Sequence, residues 1–237
     1  MPKPMIKHIL INCDLGEWET SEKTASLMDH IHLANIACGG HAGSKETIQY
    51  CDSLARQKGV LTGAHPGIMG NKGRTLPMGF THEDFVHLIE NQIQFYLDAG
   101  AYLHHIKLHG ALYHLSEQDT SIRNTLLDYV ASHDTKIVCL AGGAVARAAQ
   151  DRNLPILQEA FLDRNYLPDG QLVPRDSDNA HIHDLDQIKA RIEKLDQKGT
   201  LEDVDGNPLP VTVDTLCIHS DSPNSQEMAR IAINALT

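Results

Sequence analysis

Short apolar runs alternate along the chain with longer segments in which hydrophobic and polar residues recur with helical periodicity. The seven runs, each rich in Val, Ile and Leu, are Ile6–Asn12, Leu33–Ala37, Val60–Ala64, His104–Leu108, Lys136–Leu140, Pro155–Ala160 and Val213–His219. Continuous apolar runs of this length are typical of strands that are buried on both faces of a parallel sheet. The pattern therefore predicts a repeated strand–helix fold.

The segments between the runs carry helix signals. Thr81 and Asp84 form a capping-box pattern ahead of an apolar stripe, and Ser44 is placed to cap the preceding helix. The last helix is predicted to begin at Ser222-Pro223, because proline is favoured at the first helical position.

The strand–helix units continue without a linker or a shift in composition. They predict one α/β domain over residues 1–237, a seven-stranded β/α barrel of the TIM-like type that is closed or nearly closed. An open doubly wound sheet is the rival architecture. Three stretches interrupt the alternation. We expect a mobile loop at Pro66–Gly79, a long polar connection at Leu162–His183, and a turn or hairpin at Leu201–Pro210, which contains an Asp-Gly turn signal.

Reactive side chains follow six of the seven apolar runs. Active sites of parallel α/β folds form at the carboxyl ends of the strands, so these residues are predicted to converge on one mouth. They are Asp14, Glu17, His41, His65, Lys107, His109, Glu159, Arg164, His219 and Asp221. Each has a structural alternative: a lone strand-end histidine is more often a satisfied hydrogen-bonding residue, and Asp221 could cap the last helix. Independent structural reasons for the reactive residues at all six strand ends are improbable, so a shared functional site is the better interpretation.

These residue types suit attack on an amide or a lactam. Carboxylates and imidazoles can take or deliver protons, and Lys107 and Arg164 can hold a carboxylate or a developing oxyanion. Asp14, His41 and His65 could instead bind a divalent metal in the barrel mouth, since carboxylate and imidazole are ordinary metal ligands. The chain has no Gly-x-Ser-x-Gly elbow, P-loop or Rossmann glycine pattern, which argues against a serine hydrolase and against an ATP site in this chain alone.

Composition narrows the partners and the location. The formal net charge of -11 argues against nucleic acid as a main partner, because phosphate binding requires Lys and Arg. No apolar run approaches the roughly 20 residues of a membrane span. Residues Met1–Met5 lack an apolar signal region, so we expect a cytoplasmic protein. The five cysteines include no C-x-x-C pair and are expected to be buried thiols rather than disulfides.

At the same residues the sequence resembles the LamB/YcsF family, the A subunit of ATP-dependent 5-oxoprolinase. The resemblance implies a seven-stranded barrel similar to the glycoside hydrolase/deacetylase superfamily. The matching motifs span nearly the whole chain in order: Asn12–Glu17, Ala34–Gly39, His41–Gly43, Gly63–Pro66, Lys107–Tyr113, Glu159–Arg164, Tyr166, Asp169-Gly170, Leu172–Arg175, Asp214–His219 and Asp221.

The resemblance also implies an activity, the ATP-dependent hydrolysis of 5-oxo-L-proline to L-glutamate with partner subunits B and C, ATP and Mg²⁺. We infer that the partners activate the lactam and that this chain opens it; association with further copies of the chain is left open. We assign catalysis to Asp14, Glu17, His41, His65, Lys107 and His109. We assign substrate binding to Asn12, Arg74, Tyr113, Glu159, Arg164, His219 and Asp221.

Departures from the family pattern fall in loops that are expected to line the mouth. Trp18-Glu19-Thr20 replaces an aromatic-Gly element, and Gly40 and Ser44 stand where the family usually has Phe and Asp. The segment after His65 is shorter than usual and has no aromatic residue. Two other functions therefore stay open: a metal-dependent deacetylase or carbohydrate hydrolase on the same barrel, and a non-catalytic protein that binds a metabolite.

Overall fold

The computed structural model describes residues 9–236, which contain nine strands. They are β1 (Leu10–Leu15), β2 (Leu33–Ala37), β3 (Leu61–His65), β4 (His105–Lys107), β5 (Lys136–Leu140), β6 (Ile156–Phe161), β7 (Thr200–Glu202), β8 (Pro208–Pro210) and β9 (Thr215–His219). All except β7 and β8 close into one parallel barrel, in chain order. The predicted seven-stranded β/α barrel is confirmed.

The barrel closes where β1 pairs with β9. The register places Leu10 opposite Thr215 and Asp14 opposite His219, so residues from the two ends of the chain meet at the closing seam. The rival open sheet is wrong, because β1 is paired on both sides, with β2 and with β9.

The helices of the described residues follow the strands and pack apolar faces against the outside of the barrel. They are α1 (Ser21–Met28), α2 (Lys45–Lys58), α3 (His82–Asp98), α4 (Gly110–Gln118), α5 (Thr120–Ser132), α6 (Ala144–Asp151), α7 (Leu185–Lys198) and α8 (Ser225–Leu236), with a 3-10 turn at Asn71–Gly73.

Two of the three predicted helix starts are confirmed. Thr81 and Asp84 form a complete capping box at the start of α3, and the Ser44 side chain accepts a hydrogen bond from the Thr47 amide at the start of α2. The predicted start at Ser222-Pro223 is wrong. The amides of Ser222 and Ser225 donate to the carbonyls of His219 and Ser222, which makes a separate turn ahead of α8.

The first strand is shifted from its predicted bounds. Of the predicted run Ile6–Asn12, the part Ile6–His8 lies outside the described residues, and the strand continues to Leu15. Asp14 is therefore inside β1 rather than after it. Similarly, β3 ends on His65 and β6 ends on Phe161, each one residue beyond the predicted run.

The predicted hairpin is confirmed as β7 and β8, which pair antiparallel. The Asp203 carboxylate accepts hydrogen bonds from the amides of Asp205 and Asn207, and Gly206 takes the positive φ of 81° that the turn requires. The predicted polar connection between β6 and α7 is held by isolated bridges that include Arg164–His181.

The barrel interior contains buried polar side chains. Side chains with no exposed surface there are Asn12, Asn35, His105, Glu159 and Thr215. The alternate residues of β1 face the other way and join the aliphatic core between strands and helices, namely Ile11, Cys13 and Leu15. Since successive strand residues point to opposite faces, one strand serves both the core and the site.

All five cysteines are buried and free, as predicted. No helix within residues 9–236 combines the length and the apolar character needed to cross a bilayer.

Gly63 in β3 is needed for close packing inside the barrel. A Cβ atom there would lie 2.3 Å from the carbonyl oxygen of His105 and 2.4 Å from its ring. We predict that Gly63→Ala lowers the free energy of unfolding by about 1–3 kcal/mol through overpacking. Urea denaturation measures the change.

Gly59→Ala is the control for this substitution. Gly59 has a positive φ of 72° but nothing within 4 Å of its Cβ position, so the change tests backbone strain alone. A Gly63→Ala variant no less stable than Gly59→Ala would contradict the packing argument.

Candidate active site

The Lys107 ammonium group lies at the centre of the site, inside the barrel. Its Nζ is 2.9 Å from Asp14 Oδ1, 3.0 Å from Glu159 Oε2, 3.0 Å from Cys217 Sγ and 3.3 Å from Asn12 Oδ1. Burial disfavours the charged amine, but the charges of Asp14 and Glu159 and the contact with Cys217 outweigh it and hold the pKa of Lys107 well above its ordinary value. The amine therefore stays an ammonium ion.

Asp14 is the carboxylate that links this centre to the histidines of the mouth. Its Oδ1 accepts hydrogen bonds from Lys107 and, at 2.7 Å, from Asn35 Nδ2. Its Oδ2 lies 3.5 Å from His65 Nε2 and 4.0 Å from His219 Nε2. Burial opposes ionisation, but His65 and Lys107 outweigh it and hold the pKa of Asp14 well below its ordinary value. Asp14 is an anion with one oxygen toward the mouth.

Hydrogen bonds between uncharged side chains orient the amide group that contacts Asp14. His105 Nε2 donates to Asn35 Oδ1 at 2.8 Å, so the amide nitrogen of Asn35 faces Asp14 and, at 2.8 Å, Asn12 Oδ1. Burial lowers the pKa of His105 well below its ordinary value and keeps the ring neutral. We did not predict Asn35 and His105 as site residues; the signal was that they are polar residues within the predicted strand runs.

Glu17 and three histidines form a second cluster beside Asp14. Glu17 Oε1 lies 2.8 Å from His41 Nε2, 3.3 Å from His109 Nδ1 and 3.8 Å from His65 Nε2. The rings of His41 and His109 stack with centroids 3.6 Å apart. Burial opposes ionisation of Glu17, but the neighbouring rings of His109, His41 and His65 outweigh it and lower the pKa of Glu17. Burial lowers the pKa of His41 to about 4.

Backbone carbonyls fix the orientation of two of these rings. His65 Nδ1 donates to the Lys107 carbonyl at 2.8 Å, and His109 Nε2 donates to the Lys72 carbonyl at 2.9 Å. The remaining nitrogens, His65 Nε2 and His109 Nδ1, then face each other at 2.9 Å. Two lone pairs repel at that distance, so a proton or a metal ion must lie between the rings.

The protonation states agree with a shared proton. Burial disfavours the charged form of His65, but Asp14 outweighs it and raises the pKa of His65. Burial lowers the pKa of His109. His65 therefore carries the proton and donates it toward the neutral His109.

His219 is held from behind by a carboxylate that we did not predict as a site residue. Both oxygens of Asp163 lie 2.9 Å from His219 Nδ1, and the ring stacks on Phe161. Arg175 Nη2 lies 2.8 Å from His219 Nε2 on the other side. Burial opposes ionisation of Asp163, but His219 outweighs it and lowers the pKa of Asp163. Such an acid–imidazole pair fixes the ring orientation.

A small cavity opens above these groups. Asp14, His65, Lys107 and His219 line its inner end. Two buried oxygens there have no hydrogen-bond partner, the Tyr113 hydroxyl and Glu159 Oε1.

The six predicted catalytic residues are brought together, whereas three predicted substrate-binding residues have other contacts. Arg164 is buried, and its Nε and Nη2 donate to the carbonyls of Ala180 and Val173. Arg74 and Asp221 lie at the rim, where Nη2 and Oδ2 form a half-exposed ion pair 3.0 Å apart. Asp221 is thus neither a helix cap nor a residue of the inner cavity.

The loops that depart from the family pattern pack against each other. Lys72 Nζ lies 5.0 Å from the centre of the Trp18 ring. A Cβ at Gly40 would lie 2.1 Å from the carbonyl oxygen of Gly67, so no larger residue fits there. The predicted mobile loop thus includes an ordered turn that closes one side of the site and contributes the Lys72 carbonyl.

Two groups of residues in the described part of the chain could hold a metal ion near the barrel mouth. One is Glu17, His41, His65 and His109; the other is Asp14, Cys217 and His219. The predicted set of Asp14, His41 and His65 is therefore divided between the two groups. In the first group, His41 Nδ1 is buried without a partner, so a metal on Nε2 would leave an unsatisfied N–H.

The fold and the site define a β/α-barrel protein with an acid–base centre at the carboxyl ends of its strands. A sequence model of the LamB/YcsF family matches residues 9–237, and the chain belongs to that family.

Relatives and solved structures agree with this placement. The chain is 36% identical over 230 residues to the 5-oxoprolinase A subunit of Oceanobacillus iheyensis, covering 93% of this chain and 90% of the relative. It resembles the crystal structure of a lactam utilization protein from Thermus thermophilus, with a TM-score of 0.84, 33% identity and 96% and 95% of the two chains covered. A GH18 chitinase from Pseudoalteromonas aurantia shares the fold at 12% identity, with a TM-score of 0.53 and 96% and 100% coverage.

Removing the central ammonium should destabilise the protein in a pH-dependent way. We predict that Lys107→Met costs about 3–5 kcal/mol of unfolding free energy at pH 8, because buried carboxylates lose their cation. In the variant the pKa of Asp14 rises because one of its cationic neighbours is lost, so the loss of stability relative to wild type is full at pH 8 and shrinks as the pH falls. Urea denaturation at pH 5 and pH 8 measures both effects.

Lys189→Met is the control, because Lys189 pairs with Asp186 on the exposed surface of α7. Adding Glu159→Gln to Lys107→Met should recover part of the loss at pH 8. A Lys107→Met variant as stable as the control at pH 8 would show that the ion pairs do not hold the interior together.

Proposed function

We propose that this chain is the A subunit of an ATP-dependent 5-oxoprolinase and hydrolyses the lactam amide of 5-oxo-L-proline to L-glutamate. The observation that carries the proposal is the ionised Asp14, held between Lys107 and His65 at the inner end of a small cavity. The family and the relatives named as 5-oxoprolinase A subunits support the substrate. Subunits B and C are the proposed partners.

A lactam amide is resonance-stabilised and a weak electrophile. Phosphoryl transfer from ATP, with Mg²⁺, on the partner subunits would activate the lactam by phosphorylating its oxygen, with release of ADP. In this chain, Asp14 then orients the water that attacks the activated carbon and accepts its proton, while the Lys107 ammonium stabilises the negative charge of the activated group. His65, whose pKa is raised against burial by Asp14, donates a proton to the ring nitrogen as the carbon–nitrogen bond breaks, which gives an open-chain acyl phosphate. A second water hydrolyses the acyl phosphate to L-glutamate and inorganic phosphate.

The test is glutamate release from 5-oxo-L-proline by the chain mixed with cognate B and C subunits, ATP and Mg²⁺. We predict that Asp14→Asn lowers the rate by about 10²–10⁴-fold, the range for loss of a positioned acid or base. Asp186→Asn, on the exposed face of α7, is the matched control. Equal rates for wild type and Asp14→Asn would refute the assignment of Asp14, and no release by wild type would refute the proposed activity.

A second candidate function is metal-dependent hydrolysis on the same barrel. It is favoured by His65 Nε2 and His109 Nδ1, which face each other at 2.9 Å beside the carboxylate of Glu17. Glu17, His65 and His109 offer one oxygen and two nitrogens, a donor set that suits Zn²⁺ or a related divalent ion. A bound ion would polarise water and would replace the proton of His65.

Elemental analysis of protein purified without chelator tests this second function. If a metal is resident, wild type should hold about one equivalent, and His109→Ala should lose it. Occupancy should fall as the pH drops below the pKa of His65, because the proton competes with the ion. If the wild-type protein is purified without metal and binds none on incubation with Zn²⁺, metal-dependent hydrolysis is excluded.

A further inference from the structure

The cations that line the cavity differ in what they contact. Lys107 is paired with Asp14 and Glu159 inside the barrel, and Arg164 donates to two backbone carbonyls. Arg74, in the adjoining outer cavity, is paired with Asp221. Among the described residues, Arg175 is the cavity-lining cation with neither an acidic partner within 4 Å nor a carbonyl acceptor.

Arg175 makes one side-chain hydrogen bond and lines the wall of the cavity. Its Nη2 contacts His219 Nε2 at 2.8 Å, and it lines both the inner cavity and the outer one. A guanidinium group has five N–H donors in a planar fork that matches a carboxylate. Four donors of Arg175 are thus available to a ligand that enters the mouth.

We propose that Arg175 is the specificity-determining residue of this site and binds the carboxylate of the lactam substrate. The proposal rests on the proposed function and adds the residue that selects its substrate, through the carboxylate next to the ring nitrogen. Arg164, which we predicted for this role from the sequence, instead anchors the segment that carries Arg175.

The distances suit such a ligand. His219 Nε2 lies 2.8 Å from Arg175 Nη2 and 4.0 Å from Asp14 Oδ2, so Arg175 and Asp14 approach the same ring nitrogen and lie within reach of one small ligand. In 5-oxoproline the carboxylate and the lactam carbonyl are on the two ring carbons that flank the nitrogen. A ring whose carboxylate meets Arg175 therefore directs its carbonyl toward Asp14 and Lys107.

The charges of the site oppose the reversed orientation of the lactam, in which its carboxylate would point toward Asp14. Asp14 and Glu17 lie on one side of the mouth and would repel a carboxylate. Arg175 and Arg164 lie on the other side, and their charges add to the effect of burial in lowering the pKa values of His114 and His181. The N-terminus of α4, which no side chain caps, adds partial positive charge beside this wall at Gly110.

A purely structural role for Arg175 would be to hold His219. That role is separable, because Asp163 already fixes the ring through Nδ1, and loss of a positioning residue would affect all substrates alike. Carboxylate recognition instead changes the preference between ligands with and without the carboxylate.

The experiment compares 5-oxo-L-proline with 2-pyrrolidinone, the same ring without the carboxylate. Binding is measured by calorimetry for the chain alone and for its complex with B and C subunits. For wild type we expect 5-oxo-L-proline to bind about 10- to 100-fold more tightly, the range expected of one charge-assisted pair. Arg175→Gln should abolish the preference, and Arg175→Lys should restore part of it.

Arg230→Gln, which removes an exposed arginine of α8, is the control for loss of charge. Circular dichroism establishes that each variant is folded. Arg175→Gln with the preference of wild type, or wild type without a preference in either form, would overturn the inference.

The two proposals fail in different ways. If Arg175→Gln loses the preference but the wild-type complex releases no glutamate, carboxylate recognition stands and the 5-oxoprolinase proposal falls. If the complex releases glutamate and Arg175→Gln raises KM for 5-oxo-L-proline no more than Arg230→Gln does, the activity stands and the inference falls.

Discussion

The site depends on one buried ammonium ion that balances carboxylates from two strands inside a barrel. Lys107 contacts Asp14 and Glu159 with almost no access to water. Replacing such a buried ion pair by apolar residues is often neutral or stabilising, so these pairs are weak candidates for a device that only adds stability. Their value is electrostatic: His65 and Lys107 together keep Asp14 ionised, and Asp14 in turn raises the pKa of His65. The protonation states at the mouth follow from these pairings.

The mouth has two sides with different chemistry. On one side Glu17 and the histidines gather under the loops that depart from the family pattern, where Trp18 meets Lys72. On the other side, the long connection after β6 folds back through the buried Arg164 and presents Arg175 to the cavity. We interpret the first side as the place for proton or metal chemistry and the second as the place for recognition. A substrate with separate reactive and anionic groups matches that division.

Much of this arrangement could be predicted from the sequence, because it follows from strand periodicity and from the rule that parallel strands share one active edge. Asp14, His65 and Lys107 converge as that rule requires. The contacts after convergence could not be predicted. Asn35 and His105 occur inside apolar strands, and only the register shows that they support Asp14. The roles of the arginines depend on how an irregular loop folds, which periodicity does not describe. The shift of β1 to Leu15 has a similar cause: strand pairing extends the strand beyond the predicted run.

The most direct test is a crystal structure of the chain with 5-oxo-L-proline bound. We predict that the lactam carbonyl lies within hydrogen-bonding distance of Lys107, with Asp14 and His65 beside the ring and the carboxylate on the guanidinium of Arg175. A ligand bound outside the barrel mouth, or one whose carboxylate points toward Glu17 with the lactam carbonyl away from Lys107, would contradict it.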